Sequence, residues 1–504
     1  MEKLRKKTSD ADLEQLLVVA ARQGVPLSWD RYEGMVPLCG FGRLSLCCSL
    51  CSQGPCRVNP FEAEDRETVC GRSRAELVAA NFLRLIADGV TSIINYAGNN
   101  TELPPAVEAR VVNKDLLPGA TINELLQAAR MYIEGVDSVE AYSRAAARLA
   151  LAGYCTLANQ DEKVAVNEVE AGIGALKEDQ ANLLIIGAIP AAAMDSIKAA
   201  ATGVNLVGMC GAEHGIAIAG NYGSQEAVLF SGLVDAILVG RACVTPGFLN
   251  TAKKLGLSVF SIQQDAINAA VNAAREHYSQ GRQNLVTTTA WQTEQATVGY
   301  TPAIFQQIKP AKIEAINSKY PIKGCVILSG CNNVKTTQNE SIVEQAKELV
   351  RNDVLVLATG CAAAALAKAG LMDGDQANRF AGQGLVDYLG ALAAAAGVGR
   401  MPAALHCGTC WQLPAAVDIA AALGLPTFAS FPEVSLPAAW SSALALAALG
   451  IPTYVGPVLP IEGTPAAVAA LAEVVANNLR APITDALTPA IAAQKVTAAL
   501  LGEK

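Results

Sequence analysis

Hydrophobic positions change their spacing part-way along the chain. In the first third they recur with the period of amphipathic helices, as in residues 72–88, a run that Gly89 is expected to end. Thr121 and Glu124 have the capping-box spacing of a further helix start. Because no strand pattern interrupts these helices, the spacing predicts a helical N-terminal domain over 1–178.

From about residue 180 onward, short apolar runs alternate with helical patterns. The runs form two series: 181–188, 204–208, 235–240 and 257–262, then 325–330, 353–360, 403–408, 426–430 and 452–456. Such alternation predicts parallel sheets covered by helices on both faces. We therefore expect an α/β multidomain protein, in which the helical domain is followed by two Rossmann-like doubly wound domains. Their expected bounds are 179–320 and 321–504, and a polar, irregular stretch over 281–321 separates the two series.

The composition of the chain narrows the classes of function. Of its 504 residues 52% are hydrophobic and 17% charged, and the formal net charge is −8. This balance allows large buried cores and gives no basic stripe for nucleic acid. Residues 3–7 are basic but precede an amphipathic helix, and prolines interrupt the uncharged stretch 434–461. We therefore expect a cytoplasmic protein with neither a signal peptide nor a membrane span.

Six of the fourteen cysteines fall within the first seventy residues. They are Cys39, Cys47, Cys48, Cys51, Cys56 and Cys70. The last four have the spacing C-x2-C-x4-C-x13-C, which is typical of thiolates around one iron–sulfur cluster. In a chain without an export signal, metal ligation is favoured over disulfides. The first two are one pair short of a second cluster, so the missing pair is expected from another copy of the chain.

A second set of cysteines follows the predicted strands. Its members are Cys210, Cys243, Cys331, Cys361 and Cys410. Ligands bind beyond the carboxyl ends of strands in open α/β sheets, so the five thiols are expected to converge on one metal site. Glu213 and His214, close after Cys210, are candidates for non-thiolate ligands or catalytic groups. His406 is a candidate for supporting a ligand or transferring a proton.

At these positions the chain resembles a known family, the nickel–iron carbon monoxide dehydrogenases. The matching segments are CGFG with LCC..C.QGPCR near the N-terminus, GCNNVK at 330–335, VLVLATGCAA at 354–363 and LHCGTC at 405–410. That family is similar in turn to the hybrid cluster proteins. The resemblance implies a homodimer on this scaffold and a ferredoxin-like electron carrier.

The resemblance also implies a set of cofactors. A [4Fe–4S] cluster would be held by Cys48, Cys51, Cys56 and Cys70. Cys39 and Cys47 of both chains would share an intersubunit cluster, either [4Fe–4S] or [2Fe–2S]. The active-site cluster would be held by Cys243, Cys331, Cys361 and Cys410. The family has a pair of cysteines where this chain has Cys210 and then Gly211, so either Cys210 or His214 would complete the set.

This shortened chain departs from the family where the family places its reactive groups. The family's iron-binding histidine falls in a GHNP segment, but the equivalent strand end here reads GAIP, with Ala188 and Ile189. The catalytic lysine corresponds to Ala438, and residues 89–100 replace the histidine-rich stretch used for proton transfer. Because electrostatic stabilisers contribute ~100-fold or more each to rates, efficient CO oxidation is not expected.

Three hypotheses about function remain open. The preferred one is an iron–sulfur oxidoreductase with an altered iron–sulfur or iron–sulfur–oxo centre that reduces a small N–O substrate such as hydroxylamine. The main alternative is a nickel-dependent carbon monoxide dehydrogenase in which His214 takes over as the iron ligand. The third is a protein without catalysis that transfers electrons or senses redox state. The content of nickel separates the first two.

Overall fold

The computed structural model describes most of the chain. Described are residues 6–480, apart from 62–65, 99, 119–120, 135–137, 161–164, 211–213, 283–284, 287–290 and 458, together with 490, 491, 494, 497 and 498. The chain divides into a sheet unit and a helical unit. The sheet unit takes in the described residues of Met1–Gly34, Asp161–Glu433 and Asp485–Lys504, and the helical unit those of Met35–Gln160 and Val434–Thr484. The domain bounds predicted from the sequence stay predictions.

The described part of the sheet unit contains eleven strands, which we label in chain order. They are β1 Asn167–Ala171, β2 Ala181–Ile186, β3 Val204–Met209, β4 Ala217–Gly220, β5 Ala236–Val239, β6 Ser258–Ser261, β7 Glu294–Val298, β8 Gly324–Leu328, β9 Val354–Ala358, β10 Ala404–His406 and β11 Thr427–Phe431. Their order across the sheet is β11-β8-β9-β10-β7-β1-β4-β3-β2-β5-β6.

The strands form two parallel halves that meet at one antiparallel pair. β1 and β7 pair antiparallel, with Val169 opposite Ala296, whereas the other described neighbours pair parallel. The sequence pattern misses β1, β4 and β7, so the expectations of a strand-free region up to residue 178 and of an irregular 281–321 are wrong. The predicted α/β multidomain fold, a helical domain with two Rossmann-like domains, is confirmed.

Helices cover the sheet on both faces. Those described in this unit are Ala11–Arg22, Ser28–Glu33, Ala191–Ala200, Gln225–Val228, Pro246–Lys254, Gln264–Gln280, Pro302–Gln306, Pro310–Lys319, Glu340–Arg351, Gly360–Lys368, Ala377–Phe380, Gln383–Ala396 and Leu413–Leu423. The side chains of β2 alternate between two apolar cores. Leu184 and Ile186 lie in one core, and Leu183 and Ile185 in the other. Burial on both faces explains why this strand is a continuous apolar run.

The helical unit is built around long helices. Its described helices are Gly40–Arg43, Arg74–Ala97, Pro105–Arg110, Ile122–Glu134, Val139–Ala158, Pro437–Ala448 and Pro465–Val474. Its described strands pair as Cys47–Cys48 with Cys56–Arg57 and Thr453–Val455 with Leu479–Arg480. The predicted capping box is confirmed, since the backbone N–H of Thr121 donates to Glu124 Oε2 at 2.7 Å and that of Glu124 to Thr121 Oγ1 at 3.4 Å.

Gly89 does not end its helix, contrary to the sequence-based expectation. The helix runs over Arg74–Ala97, and a Cβ at Gly89 would lie 2.3 Å from both the carbonyl oxygen of Pro437 and Ser441 Oγ. The glycine therefore serves the close approach of two helices. Arg74–Ala97 is also the one described helix long and apolar enough to cross a membrane, but 56% of that window is buried inside the protein. We interpret it as a core helix.

Candidate active site and cluster-binding cysteines

The first two cysteines of the second set leave their strands in strained backbone conformations. Cys210 directly follows β3 with φ +58°, and Cys243 follows β5 with φ +58°, after Ala242 with φ +56°. Residues other than glycine seldom adopt the left-handed region, and such strain concentrates at functional sites. The turns that carry both thiols are therefore held by the surrounding structure.

Cys331 is held by a segment that follows β11. Its backbone N–H donates to the backbone carbonyl of Glu433 at 2.8 Å. The preceding Gly330 has φ +118°, and a Cβ there would lie 2.5 Å from the same carbonyl oxygen. Only glycine fits this close approach, so the sequence Gly-Cys fixes where the thiol of Cys331 lies.

The residue before Cys361 packs against Cys410. Gly360 has φ +59°, and a Cβ there would lie 2.8 Å from the Cβ of Cys410. The backbone N–H of Gly360 also donates to the carbonyl oxygen of Gly408 at 2.9 Å. Cys361 stands in the first turn of the helix Gly360–Lys368, so the segments that follow β9 and β10 and carry these two cysteines are in contact.

Tyr222 interacts with several of these cysteines. Its backbone N–H donates to Cys361 Sγ at 3.4 Å. Burial raises the pKa of its phenol, and the thiolate charges of Cys331, Cys243 and Cys210, with that of Cys361, raise it further. Four of the five predicted cysteines thus act electrostatically on the same tyrosine. The expected convergence of the five cysteines on one metal site stays a prediction.

The predicted donors of this site are thiols. Among the described residues, no three Cys, His, Asp or Glu side chains lie close enough together to hold one metal ion. A polynuclear cluster places its ligands farther apart, because each thiolate binds a different metal atom. Thiolates are the ligands that iron–sulfur clusters use. All fourteen cysteines lie in the described part of the chain, and none of them is in a disulfide.

The segment where the resemblance places the family's histidine is apolar. Ala188 and Ile189 are fully buried. The backbone N–H of Ala188 donates to the carbonyl oxygen of Arg241, within the turn that leads to Cys243, at 2.5 Å. The segment Gly187–Pro190 thus packs against the turn that leads to Cys243 and carries apolar side chains there.

The remaining predicted site residues are Glu213, His214 and His406. Glu213 lies outside the described residues. His214 is buried, and its backbone carbonyl accepts a hydrogen bond from Lys198 Nζ at 2.8 Å. Burial, with a smaller contribution from the charge of His214, lowers the pKa of His406 to about 4. His406 is therefore neutral near pH 7.

The hydrogen bonds of His406 define its tautomer. Its Nδ1 accepts from the backbone N–H of Gly408 at 3.2 Å, which places the ring proton on Nε2. Among the described residues, the buried Nε2 has no hydrogen-bond partner. A buried N–H of this kind is a hydrogen-bond donor available to a bound substrate. The predicted role of His406 in proton transfer stays a hypothesis.

Sequence reasoning missed Glu433. Its side chain is fully buried, and Oε2 accepts from the backbone N–H of Asn333 at 3.1 Å and from Asn332 Nδ2 at 3.4 Å. Burial raises the pKa of this carboxyl group to about 7. Its other oxygen, Oε1, has no hydrogen-bond partner within the described part of the chain. The available signal was a carboxylate at the edge of a long uncharged stretch, two residues beyond a strand.

The N-terminal cysteines lie in the helical unit. Cys48 pairs with Cys56 across a short antiparallel ladder, and Gly54 turns the chain between them so tightly that a Cβ would lie 3.1 Å from the carbonyl oxygen of Cys48. Cys51 is exposed within the same turn. Three of the four predicted ligands of one cluster thus share a compact loop.

Cys70, the fourth predicted ligand, interacts with Arg72. A hydrogen bond from Thr68 lowers the pKa of Cys70, and Arg72 contributes further. The Nη1 of Arg72 lies 3.8 Å from Cys70 Sγ, and the charges of both Cys70 and Cys48 act on its guanidinium.

Cys39 and Cys47 flank a short helical turn. Cys39 is exposed and precedes Gly40–Arg43, where the backbone N–H groups of Gly42 and Phe41 hold its pKa below the usual range. Cys47 is half-buried at the start of the strand pair. A thiol that is exposed and readily ionised is suited to binding a metal shared with another chain.

Exposed apolar side chains lie in the same segment. They are Met35, Val36, Phe61 and Val69, which are 69%, 55%, 96% and 66% exposed. Clusters of this kind on a surface mark sites of contact with another protein. The predicted homodimer is consistent with this surface and stays a prediction.

Comparison with known proteins identifies the relatives of the chain. The model of the Prismane/CO dehydrogenase family matches residues 46–163 and 120–486. Carbon monoxide dehydrogenase 1 of Carboxydothermus hydrogenoformans is 28% identical over 98% of each sequence. Carbon monoxide dehydrogenase of Rhodospirillum rubrum is 27% identical over 91% of this chain and 92% of its own.

Solved structures share the fold. Carbon monoxide dehydrogenase IV of Carboxydothermus hydrogenoformans superimposes with a TM-score of 0.81 at 24% identity, covering 99% of this chain and 98% of its own. The as-isolated, Ni-free carbon monoxide dehydrogenase of Thermococcus sp. AM4 gives a TM-score of 0.84 at 24% identity, covering 99% and 97%.

Proposed function

Because the chain belongs to the Prismane/CO dehydrogenase family, we propose that it is an iron–sulfur oxidoreductase of that family with an altered active-site centre. The centre would be held by Cys243, Cys331, Cys361 and Cys410, with Cys210 or His214 completing the set. Its substrate would be a small N–O compound such as hydroxylamine. One observation carries the proposal: Tyr222 donates to Cys361 Sγ and is acted on by the charges of Cys210, Cys243 and Cys331 as well, while Ala188 and Ile189 stand where the resemblance places the family's iron-binding histidine.

The chemistry follows from the residues of the chain. A bound iron–sulfur centre supplies the electrons for breaking the N–O bond, whose products from hydroxylamine are ammonia and water after uptake of two electrons and two protons. The apolar side chains of Ala188 and Ile189 keep water from one side of the site. The neutral imidazole of His406 presents its Nε2–H as a hydrogen-bond donor. These groups favour reduction of a neutral substrate over stabilisation of a developing carboxylate.

The N-terminal cysteines would deliver the electrons. We propose a [4Fe–4S] cluster on Cys48, Cys51, Cys56 and Cys70, and an intersubunit cluster on Cys39 and Cys47 of two chains. A homodimer would then be required, with a ferredoxin-like carrier as the electron donor. The hydrogen bond of Thr68 and the charge of Arg72 support this assignment, since both favour the thiolate form of Cys70.

Anaerobic purification followed by metal analysis tests the proposal. We expect iron and acid-labile sulfide with little nickel, and hydroxylamine-dependent oxidation of reduced viologen without CO-dependent viologen reduction. Replacing Cys361 by serine should abolish turnover and remove the iron of the active-site centre only. Cys325, buried in β8 and hydrogen-bonded to Thr427, provides the matched control, because its replacement should leave the iron content unchanged. Stoichiometric nickel with rapid CO oxidation would overturn the proposal.

The second candidate is a nickel-dependent carbon monoxide dehydrogenase. Two observations favour it: the relatives named as such are similar along nearly the whole chain, and the buried His214 acts electrostatically on His406 within the same unit. An imidazole at this place could bind iron as the family's histidine does. Replacing His214 by alanine should then abolish CO-dependent viologen reduction. The same replacement should leave hydroxylamine turnover largely intact if the first proposal holds and Cys210 is the ligand.

A further inference from the structure

The loop over 221–225 lies between the segments that carry three of the active-site cysteines. It follows β4, a short strand that the sequence pattern does not reveal. Asn221 and Gln225 are almost fully buried. The hydroxyl of Ser224 accepts from the backbone N–H of Asn221 at 2.9 Å, which closes the loop on itself. It is therefore an ordered element rather than a free connection.

The loop is bonded to Cys361 at two points. The N–H of Tyr222 donates to the sulfur at 3.4 Å, and Asn221 Nδ2 donates to the carbonyl oxygen of Cys361 at 3.3 Å. One bond orients the side chain and the other holds the backbone. Hydrogen bonds to ligand sulfurs are among the factors that set the reduction potential of a cluster.

The next residue of the loop holds the segment of Cys331. The backbone N–H of Gly223 donates to Asn332 Oδ1 at 2.9 Å. A Cβ at Gly223 would lie 2.9 Å from both Asn332 Cβ and Gln338 Cγ, so the loop packs directly against the residue after Cys331. Asn332 in turn donates to Asn339 Oδ1, which also accepts from Asn221.

The end of the loop holds the segment of Cys243. Gln225 Oε1 accepts from the backbone N–H of Thr245 at 3.0 Å and from its hydroxyl at 3.3 Å. Gln225 Nε2 donates to the carbonyl oxygen of Tyr222 at 2.9 Å. One buried amide thus connects the turn that follows Cys243 to the residue that bonds Cys361.

The geometry points to a positioning role for the 221–225 loop: it fixes the spacing of Cys243, Cys331 and Cys361 before any cluster is bound and tunes the centre through the bond from Tyr222 to Cys361. The positioning of the three cysteines does not depend on the proposed function. The tuning of the centre deepens that function and rests on it. The first part concerns the spacing of thiols in the protein without metal. A pre-formed set of ligands binds more tightly, because its side chains lose less conformational entropy when the cluster binds.

The first test is thiol alkylation of the metal-free protein, followed site by site by mass spectrometry. Gly223→Ala places a methyl group against Asn332 and should speed alkylation of Cys331 and Cys361 by about fivefold, the change expected from loss of one hydrogen bond. Gly399→Ala is the matched control, because Gly399 is exposed and a Cβ there meets nothing within 4 Å. Unchanged rates at both thiols in Gly223→Ala would overturn the inference.

A second variant separates positioning from general loss of structure. Gln225→Met keeps the size of the side chain but removes its bonds to Thr245 and Tyr222, so it should speed alkylation of Cys243 more than that of Cys331. Cys325, buried in β8, reports general opening. A uniform rise at Cys325 and at the three loop-held thiols would mean that the loop stabilises the fold without positioning cysteines, and would also overturn the inference.

The spectrum of the iron-loaded protein tests the second part. In Gly223→Ala the electron paramagnetic resonance signal of the active-site centre should shift, while the signal of the cluster at Cys48–Cys70 stays unchanged as an internal control. An unshifted active-site signal would contradict the tuning role. If the wild-type protein shows no active-site signal at all, the proposed function fails, but the alkylation rates still decide whether the loop positions the cysteines.

Discussion

Cys331 and Glu433 are joined through their backbones, with the N–H of Cys331 donating to the carbonyl oxygen of Glu433 at 2.8 Å. The carboxylate of Glu433 reaches the same segment again and accepts from the backbone N–H of Asn333. A single residue after β11 therefore fixes both the cysteine and the turn that follows it. This double attachment makes Glu433 a positioning residue for the proposed cluster.

Removing the carboxylate should loosen this attachment. Glu433→Ala leaves the partly buried N–H of Asn333 without its acceptor, which costs about 1 kcal/mol. Glu433→Gln keeps an oxygen acceptor and relieves the burial of a charge, so it should be nearly as stable as the wild type. Urea unfolding of the metal-free protein measures both, and iron analysis of the loaded protein should show loss of active-site iron in the alanine variant. Equal stability of Glu433→Ala and wild type would contradict the role.

Two helical glycines should respond in opposite directions to the same substitution. Gly89→Ala places a methyl group 2.3 Å from the Pro437 carbonyl oxygen and Ser441 Oγ, and overpacking of this kind costs about 1–3 kcal/mol. Gly390→Ala lies in the helix Gln383–Ala396, where a Cβ meets nothing within 4 Å, and should stabilise by up to ~1 kcal/mol. Thermal unfolding of the two variants compares them. A stabilised Gly89→Ala would show that the two helices can move apart without cost.

The sequence predicts the strands that form continuous apolar runs and misses β1, β4 and β7, which are short or rich in polar residues. β2, β8 and β9 are buried on both faces and read as continuous apolar runs. β1 and β7 carry polar side chains at alternate positions and pair with each other where the two parallel halves meet. Their stability comes from pairing between residues far apart in sequence, which local periodicity does not record.

The cysteines of the candidate site are predictable, and the residues that place them are not. A thiol after a strand and a glycine carries a local signal, as at Cys331 and Cys361. Tyr222 carries none and Glu433 only a weak one, its place at the edge of an uncharged stretch, because their roles arise from tertiary contacts with those segments. The same holds for Gly89. Its lack of a side chain is required by the close packing of a helix more than 300 residues away in the chain.

His406 should make stability depend on pH. Its pKa in the folded protein is about 4, lowered mainly by burial, whereas an unfolded histidine titrates near 6.5. The unfolded state therefore binds more protons between these values, and stability falls as the pH drops from 6.5 to 4. The full loss is about 3 kcal/mol. Urea unfolding at several pH values should show this slope in the wild type and a flatter one in His406→Gln. Identical slopes would mean that other groups dominate the window.

The buried ion pair of Asp235 and Arg282 should be the most sensitive polar contact outside the candidate site. Arg282 Nη2 lies 2.6 Å from Asp235 Oδ2 and Nε lies 3.0 Å from Oδ1, and both side chains are nearly excluded from water. Arg282 also donates to the carbonyl oxygen of Gln180 at 2.6 Å, so it joins the start of β2 to the segment before β5.

Breaking this pair should be more costly than removing it. Arg282→Met leaves the carboxylate of Asp235 buried with its main cation gone, which costs about 3–5 kcal/mol. The double variant Arg282→Met with Asp235→Asn removes the buried charge as well and should recover part of the loss, because Asn still offers an acceptor to the backbone N–H of Asn182. Arg400→Met, at an ion pair with Asp375 in which both side chains are more than three-quarters exposed, should change the free energy of unfolding by less than ~1 kcal/mol. A double variant less stable than Arg282→Met alone would show that Asp235 acts through its other partners, among them His277 Nδ1 at 2.9 Å, rather than through the arginine.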